Sequence, residues 1–436
     1  MELFGTQNVN EDGILTIGGC LTTDLVKSYG TPLYVMDETH IRSQCQWFTN
    51  HFKSKDIETE IIYASKAFLT LAMVKLIEAE GLSIDVVSGG ELYTAIKANF
   101  PMDKVYFHGN NKSQSEIEMA LAHRVKTIVC DHIDEVDLLI ETIQDSQHID
   151  VLLRINPGIE AHTHEYIKTT KNDSKFGVSI FDDQTFEIIK KINAHSNLNF
   201  LGFHSHIGSQ IFETHSFFDH ASVVLAYAKK IKETLGIDIK HINLGGGFGV
   251  KYTENDRPIT AETFLSDLLD HISKEVKHLN ISAPKISIEP GRAIVANAGT
   301  TLYQVATTKQ TFGDKKYVFV DGSMADHIRT VLYQAVYHAK LANRMHDTNV
   351  AHYTVTGKAC ESGDIIIRDA FLPIPSKGDI LAVFTTGAYH YSMASNYNRL
   401  TKPAVVFVKD GKAKIVVKRE TYDDLLRNDC LDGDIL

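Results

Sequence analysis

Eight short apolar runs, separated by segments with helical periodicity, recur between residues 61 and 292 of this 436-residue chain. Continuous apolar runs are typical of parallel strands buried on both faces, and segments such as LAMVKLIEAEG and SEIEMALAHRV are amphipathic, like covering helices. Eight such units in about 230 residues predict a (β/α)8 TIM-like barrel. The runs are IIYASK (61–66), SIDVVSGGE (83–91), VYFHGNNK (105–112), KTIVCD (126–131), VLLRINPG (151–158), FLGFHSHIGS (200–209), HINLGGG (241–247) and KISIEPGR (285–292).

The sequence pattern changes after residue 292. Short β-rich runs such as LYQVATTKQ, KYVFVDGS and AVVFVK follow, with little helical periodicity. These runs predict a second, mainly antiparallel β domain. The short β-like segments before residue 34 are assigned to the same domain. We therefore expect a barrel over residues 34–284 and a β domain made of residues 1–33 plus 285–436.

The composition argues against several classes of protein. Lys and Arg number 44 against 55 Asp and Glu, for a net charge of −11, and the basic face that nucleic-acid binding requires is not visible. No run is long enough to span a bilayer, and the acidic start MELFGTQNVNEDG is unlike a signal peptide. Five scattered cysteines without CxxC spacing indicate a reducing cytoplasm, with neither a disulfide framework nor a structural zinc.

Polar or glycine-rich residues follow nearly every predicted barrel strand, at the end where the active sites of such barrels lie. Lys66 follows the first strand and has two interpretations. A lysine there usually lays its carbon stem on apolar surface and keeps its ammonium group in water. A desolvated amine can instead attack a carbonyl and hold it as a Schiff base. The polar residues at the other strand ends favour the second interpretation.

A phosphate site is predicted after the seventh and eighth strands. The triplet at residues 245–247 leaves backbone N–H groups for an anion, and these loops often bind phosphate in such barrels. Ser209 adds a hydroxyl to the same phosphate. In EPGR, Glu289 ends a strand and Arg292 offers a planar fork for phosphate or carboxylate. A buried ion pair between Glu289 and Arg292 is the alternative.

His204 and His206 are two residues apart on a predicted strand, so they share a face and fit a metal pair. Alternatively, the ring of His206 lies across a flat cofactor. A lysine, a phosphate cradle, a carboxylate and an aromatic ring at one barrel mouth fit pyridoxal 5'-phosphate, with Lys66 as the imine and Glu289 on the pyridine nitrogen. A carboxylate keeps that nitrogen protonated, which favours carbanion chemistry and decarboxylation above all.

Eight motifs, in order and within a region from about residue 14 to 420, resemble those of the diaminopimelate decarboxylases: YASKAF, HGNNKS, DSKFGV, HSHIGSQ, INLGGGFG, EPGR, CESGD and GAYHYSMASNYN. These are pyridoxal-phosphate enzymes of the alanine-racemase-like fold type III. Single motifs are shared with ornithine and arginine decarboxylases, whereas CESGD with IRTVLY and GAY indicates the diaminopimelate branch. The resemblance implies conversion of meso-2,6-diaminopimelate to L-lysine and CO₂, the last step of lysine biosynthesis. It also implies a homodimer with active sites shared between subunits.

The resemblance further implies residue roles. Cys360 matches the family residue that delivers a proton to the quinonoid intermediate and comes from the neighbouring subunit; taken alone, it reads as a small buried hydrophobe. The family pattern Arg-Pro-Ala-Leu-Tyr is here RTVLY over residues 329–333, without the proline. The implied catalytic residues are Lys66, His206, Glu289 and Cys360. The implied cofactor-binding residues are Lys66, His206, Ser209, Gly245, Gly246, Gly247, Glu289, Pro290, Gly291, Arg292 and Tyr389. The implied substrate-binding residues are Arg292, Arg329, Tyr333, Glu361 and Tyr389, and no metal is expected.

Three alternatives remain at this point. The first is a pyridoxal-phosphate decarboxylase of another basic amino acid, of the ornithine, lysine or arginine type. The second is a metal-dependent barrel hydrolase that uses His204 and His206, although the usual HxH of such enzymes follows the first strand and this one follows the sixth. The third is a non-enzymatic carrier of pyridoxal phosphate, a class that lacks the second domain.

Overall fold

The computed structural model describes residues 2–159, 174–259 and 262–430. The chain divides into two compact units. The barrel unit comprises Gln44–Val250 and Arg257–Ala293, and the β unit comprises the residues up to Ser43, Lys251–Asp256 and the residues from Ile294 onwards. Asp173, which begins the DSKFGV motif, lies outside the described residues. Among the described residues, no helix combines the length and apolar character needed to cross a bilayer.

The first strands of the chain belong to the β unit. Three short strands pair antiparallel in a sheet of their own, and a fourth strand joins a larger sheet. These strands are β1 (Asn8–Val9), β2 (Leu15–Ile17), β3 (Cys20–Leu21) and β4 (Leu33–Asp37). Two helices accompany them, α1 (Thr22–Tyr29) and α2 (Glu38–His51).

Eight parallel strands close into a barrel, which confirms the predicted fold and all eight predicted barrel strands. Their order around the barrel is β5, β6, β7, β8, β9, β11, β12 and β13, and β10 pairs beside β9. The strands are β5 (Thr59–Ala64), β6 (Ser83–Val86), β7 (Val105–Phe107), β8 (Thr127–Cys130), β9 (Ile149–Asn156), β10 (Val178–Ser179), β11 (Leu198–His204), β12 (His241–Asn243) and β13 (Lys285–Ile288).

Helices alternate with these strands, and four of the seven begin at side-chain caps. Thr70, Ser88 and Ser113 each accept a hydrogen bond from a backbone N–H of the first helical turn, which satisfies a donor without an intrahelical partner. The helices are α3 (Leu71–Ala79), α4 (Gly89–Lys97), α5 (Gln114–Ala122), α6 (Ile133–Thr142), α7 (Gln184–Ala194), α8 (Thr214–Leu235) and α9 (Phe264–Leu279). Short 3₁₀ helices occupy Ser65–Ala67 and Met102–Lys104.

Apolar side chains fill the barrel. Ile62, Tyr106, Val129 and Leu152, from four different strands, form one buried cluster. Burial of a large apolar side chain contributes about 1.5–3 kcal/mol, so such clusters hold the strand ends in fixed relative positions. The barrel therefore supports polar groups at its carboxyl end on a packed base.

The β unit is built around a nine-stranded sheet in which β14 pairs with β4, β15 and β19. Six of its eight strand pairings are antiparallel, which confirms the predicted β domain. Its later strands are β14 (Gly299–Gln310), β15 (Lys316–Val320), β16 (Ala339–Leu341), β17 (Ala351–Thr356), β18 (Ile365–Leu372), β19 (Ile380–Phe384), β20 (Ala404–Lys409) and β21 (Lys412–Val417). Its helices are α10 (Arg292–Val295), which begins at the edge of the barrel unit, α11 (Arg329–Tyr333) and α12 (Tyr422–Leu426), with 3₁₀ turns at Tyr391–Met393 and Tyr397–Arg399.

The structure shifts both predicted domain boundaries. The strand β13 pairs with β12 and β5, so the barrel extends beyond residue 284. The strand β4 pairs with β14 and β20, so it belongs to the β unit although it begins near the predicted start of the barrel. Both are short apolar strands, and their hydrogen-bonding partners, which lie far away in sequence, decide their assignment.

Candidate active site

Lys66 lies at the carboxyl end of the barrel, in the 3₁₀ turn Ser65–Ala67 directly after β5. Its two neighbours are buried, whereas Lys66 itself is exposed. The Ser65 N–H donates a hydrogen bond of 3.0 Å to Asp85 Oδ1, which fixes the backbone of the turn. The amine is therefore presented from an anchored main chain.

Glu289 is a buried carboxyl group directly after β13. Asn243 Nδ2 donates to its Oε1 at 2.7 Å, and His204 Nε2 lies 3.2 Å from its Oε2. His108 Nε2 lies 2.9 Å from Oε1. Burial alone would raise the pKa of Glu289, but His108 and His204 outweigh burial and hold this pKa well below its ordinary value. Glu289 is therefore ionised.

Asp85, on β6, is a second buried carboxyl group near Lys66 and Glu289. Burial raises the pKa of Asp85 well above its ordinary value, and the charge of Glu289 raises this pKa further, although Lys66 acts to lower it. The pKa values of the two carboxyl groups are thus shifted in opposite directions, that of Glu289 downwards and that of Asp85 upwards.

His206 is a neutral ring beside the glycine triplet. The Gly246 N–H donates to His206 Nδ1 at 3.2 Å, so Nδ1 carries a lone pair. Burial lowers the pKa of His206 well below its ordinary value, and the positive charges of Lys66 and Arg154 lower it further. An uncharged imidazole of this kind can pack against a flat ring.

The triplet at residues 245–247 lies close to neighbouring backbone, which requires glycine. A Cβ on Gly246 would stand 2.3 Å from the carbonyl oxygen of Glu289. Gly247 has a φ of +108°, and a Cβ there would stand 2.7 Å from the carbonyl oxygen of Gly208. These close approaches leave a cradle lined by main chain.

The EPGR segment lies against the end of β5 that leads to Lys66. The carbonyl oxygen of Pro290 accepts a hydrogen bond of 3.4 Å from the Ala64 N–H, and a Cβ on Gly291 would stand 2.8 Å from Ala64 Cβ. Arg292 Nη2 donates to Ser209 Oγ at 2.9 Å. The structure thus brings the predicted lysine, carboxylate, arginine and serine to one end of the barrel.

The alternative of a metal pair formed by His204 and His206 is not favoured by their contacts, because the two rings contact different partners, Glu289 and Gly246. Among the described residues, the group whose spacing resembles a metal site is instead His108, His204 and Glu289, with ligand atoms within 4.8 Å of one another. In this group, His204 contacts the carboxylate of Glu289 directly, and Asn243 donates to its other oxygen.

Arg329, Tyr333 and Tyr389 come together in the β unit. The Arg329 guanidinium lies 4.8 Å from the centre of the Tyr333 ring and 5.2 Å from that of Tyr389. Its Nε donates to Tyr337 Oη at 2.9 Å, and only 8% of the residue is exposed. This buried, fixed guanidinium suits a carboxylate ligand.

Cys360 and Glu361 form a second cluster in the β unit. Cys360 is exposed, which corrects its interpretation as a buried hydrophobe, and its N–H donates to Asn398 Oδ1 at 2.7 Å. Tyr397 Oη donates to Glu361 Oε2 at 3.3 Å. Hydrogen bonds from Gly363, Ser362 and Tyr397 lower the pKa of Glu361, so this exposed side chain is ionised.

Sequence reasoning missed four contributors: Asp85, His108, Asn243 and Tyr337. The first three stand on or directly after barrel strands, at the carboxyl end, where polar residues gather. That position was the available signal, but it could not distinguish a contact to Glu289 from a solvated side chain. Tyr337 gave no signal, because its hydrogen bond to Arg329 spans an irregular segment after α11.

The residues of the barrel end fit pyridoxal phosphate. An accessible lysine suits its aldehyde, and an ionised buried carboxylate suits its ring nitrogen. A neutral histidine ring suits the face of its ring. A main-chain cradle with an arginine and a serine suits its phosphate.

Comparisons with known proteins agree with this fit. The family described as "Pyridoxal-dependent decarboxylase, pyridoxal binding domain" matches residues 38–296. The diaminopimelate decarboxylase of Bacillus subtilis is 48% identical over 430 residues, which cover 98% of both chains. That of Staphylococcus aureus is 48% identical over 97% of this chain and 99% of the relative. The crystal structure of diaminopimelate decarboxylase from M. jannaschii in complex with L-lysine has a TM-score of 0.91 at 33% identity, covering 99% of both chains.

Proposed function

The chain belongs to the diaminopimelate decarboxylases, and from this membership we propose that it converts meso-2,6-diaminopimelate to L-lysine and CO₂. It is a pyridoxal-phosphate-dependent carboxy-lyase, and this reaction is the last step of lysine biosynthesis. The observation that carries the proposal is the 48% identity with the Bacillus subtilis enzyme over 98% of both chains, which includes the barrel and the β unit alike.

Pyridoxal phosphate supplies, when bound, an electron sink for the electron pair that CO₂ leaves behind. We propose that Lys66 Nζ holds its aldehyde carbon covalently. Glu289 would accept a hydrogen bond from the ring nitrogen and keep it protonated, since a buried carboxylate of low pKa stabilises a positive charge beside it. His206 would hold the ring face as an uncharged imidazole.

The phosphate is assigned to the other loops of the barrel end. The main chain of Gly245, Gly246 and Gly247 offers N–H groups, and Ser209 Oγ and the Arg292 guanidinium add two side-chain donors that already contact each other. Pro290 and Gly291 shape the turn that presents Arg292. Tyr389 is assigned as a further cofactor contact.

The substrate is a zwitterion with two carboxylates and two ammonium groups, so its distal end needs a cation and an anion. We assign the distal carboxylate to Arg329, with Arg292 as a second guanidinium and Tyr333 and Tyr389 as neighbours. The ionised Glu361 suits the distal ammonium. Such pairing would discriminate diaminopimelate from amino acids without a second carboxylate.

Protonation of the carbon that loses CO₂ is assigned to the Cys360 thiol. We propose that Cys360 and Glu361 complete the active site of a neighbouring subunit in a homodimer. Both lie on an exposed segment, which leaves them accessible to a second chain. We place the enzyme in the cytoplasm, where the free cysteines of the described residues stay reduced.

The test measures CO₂ release from meso-diaminopimelate, L-lysine, L-ornithine and L-arginine by the enzyme loaded with pyridoxal phosphate. We expect release from diaminopimelate alone, and none from a Lys66→Ala control. Faster release from ornithine, lysine or arginine would identify the chain as a decarboxylase of another basic amino acid.

A further inference from the structure

Glu289 receives contacts from three strands of the barrel at once. Asn243, at the end of β12, and His108, after β7, both lie against Oε1, while His204, at the end of β11, lies against Oε2. The rings of His108 and His204 stand edge to face with centres 4.6 Å apart. The carboxylate thus has side-chain neighbours on several sides, and two of them, His108 and His204, pack against each other.

Asn243 is itself fixed by the glycine triplet. The Gly245 N–H donates to Asn243 Oδ1 at 2.9 Å, so the amide nitrogen must face Glu289. The Glu289 N–H donates to the carbonyl oxygen of Gly245 at 2.8 Å. The position of the carboxylate is therefore tied to the loop assigned to the phosphate.

The protonation state of His204 follows from its two ring nitrogens. Burial lowers the pKa of His204 to about 3, so the ring is neutral. Its Nε2 faces the carboxylate and must carry the proton in order to donate. Its Nδ1 is buried and has no hydrogen-bond partner among the described residues, as suits a lone pair rather than a second N–H.

The two carboxylate oxygens are not equally occupied. Oε1 accepts a hydrogen bond from Asn243 Nδ2 at 2.7 Å and has His108 Nε2 at 2.9 Å, although this nitrogen has no hydrogen-bond partner among the described residues, whereas Oε2 has His204 Nε2 at 3.2 Å. A carboxylate offers about four lone-pair sites in total, two on each oxygen. Room for one additional donor therefore remains at Oε2 in the described structure.

The other charged and titratable groups nearby do not supply such a donor. Asp85 on β6 accepts the Ser65 N–H, and among the described residues it forms no hydrogen bond with Glu289. Arg154 on β9 lies 3.9 Å from Asp131 Oδ1, and its guanidinium stacks 4.4 Å from the centre of the Phe176 ring. In the proposed function, Lys66 Nζ is bonded covalently to the aldehyde carbon of the cofactor.

We propose that His204 is a positioning residue whose neutral Nε2–H orients the Glu289 carboxylate and leaves one side of Oε2 to the protonated ring nitrogen of the cofactor. This inference rests on the proposed role of Glu289 and deepens it. His204 acts through Glu289 and touches neither the substrate nor the reacting carbon, and the ring of His108 packs against it.

The test uses the holoenzyme reconstituted with pyridoxal phosphate that carries nitrogen-15 in its ring, because the ring-nitrogen resonance reports protonation directly. His204→Leu removes the donor, whereas His204→Gln keeps an N–H at a similar reach. His271→Leu is the matched control, since His271 pairs with Ser222 and not with Glu289.

We expect the resonance of a protonated ring nitrogen in the wild type, in His204→Gln and in His271→Leu. In His204→Leu it should move toward the unprotonated position, and kcat should fall by about 10- to 100-fold, the usual effect of losing an orienting partner. In a Glu289→Gln background, the resonance should already be shifted and His204→Leu should move it no further.

An unchanged resonance in folded His204→Leu would overturn the inference, as would an unprotonated ring nitrogen in the wild type. Stoichiometric metal in the purified holoenzyme would also overturn it, by making the three side chains ligands. If His204→Leu does not fold, His204→Phe, which likewise lacks the N–H donor, carries the same measurement. Failure of the proposed function would show separately, as a wild type that releases no CO₂ from diaminopimelate.

Discussion

The surroundings of Asp85 and Glu289 shift the pKa values of these two buried carboxyl groups in opposite directions. Glu289 is ionised because His108, His204 and Asn243 surround it, whereas burial and the charge of Glu289 raise the pKa of Asp85 well above its ordinary value. At the residue scale, the barrel end thus holds one strong anion and one carboxyl group whose ionisation is opposed. A cationic ring nitrogen would be stabilised at Glu289 and not at Asp85.

Lys66→Ala should abolish covalent attachment of pyridoxal phosphate and nearly all turnover, because the amine both holds the cofactor and is regained in each cycle. Borohydride reduction followed by peptide mass spectrometry should locate the modified lysine at residue 66 in the wild type. Lys75→Ala, which removes an exposed lysine paired with Glu78 on α3, is the control and should keep the modification. A modified lysine elsewhere in the wild type would contradict the assignment.

At the scale of elements, the turn between β15 and α11 shapes the start of the helix that carries Arg329. Asp326 in this turn accepts hydrogen bonds from Tyr303 Oη at 2.5 Å and from the Ser323 N–H at 2.9 Å. Its carbonyl oxygen accepts one from Tyr34 Oη at 2.6 Å. Burial raises the pKa of Asp326 to about 7, despite these two hydrogen bonds to its carboxyl group.

This raised pKa predicts a pH dependence of stability. The folded state binds the Asp326 proton more tightly than the unfolded chain, whose aspartates titrate near pH 4, so this contribution is complete below about pH 4 and is lost as pH rises to about 7. Between pH 5 and pH 8 the free energy of unfolding should fall by as much as about 3 kcal/mol relative to Asp326→Asn.

Urea unfolding of both proteins at pH 5 and pH 8 measures this change. Asp314→Asn, at an exposed position in the loop between β14 and β15, is the control: it keeps Asp326, so its free energy of unfolding should fall between pH 5 and pH 8 as that of the wild type does. A difference between wild type and Asp326→Asn that stays constant over this range would show that Asp326 is already ionised at pH 5.

At the scale of the whole molecule, the proposed groups are divided between two units. Lys66, His206 and Glu289 belong to the barrel unit, whereas Cys360 and Glu361 belong to the β unit. A two-fold homodimer is self-complementary, so a segment that completes one active site completes both. The proposed sharing of sites is therefore testable by mixing inactive subunits.

Lys66→Ala and Cys360→Ala proteins should each be nearly inactive alone. After mixing in equal amounts and exchange of subunits, half of the dimers are hybrids in which one site carries both defects and the other carries neither. Activity should then recover to about a quarter of the wild-type value. Hybrids that form, as shown by tag pull-down, but stay inactive would place Cys360 in its own chain's site or outside the reaction.

Part of the site could be predicted from the sequence. Lys66, Gly246 and Glu289 follow apolar runs, and parallel strands bring such positions to one end of a barrel. The roles of the histidines were harder to predict, because an HxH spacing fits a metal pair and a cofactor contact equally well. His204 contacts Glu289, 85 positions later in the chain, and spacing alone cannot reveal a contact of that kind.

The sequence by itself determined the barrel, the β domain and the residues that follow each strand, because hydrophobic periodicity and strand-end polarity are local properties of the chain. Tertiary structure alone decided the electrostatics: which carboxyl group is charged, which nitrogen of His204 bears the proton, and that Tyr337 holds Arg329. It also decided that β4 joins the β unit. These outcomes depend on burial and on partners that are distant in sequence, and both exist only once the chain has folded.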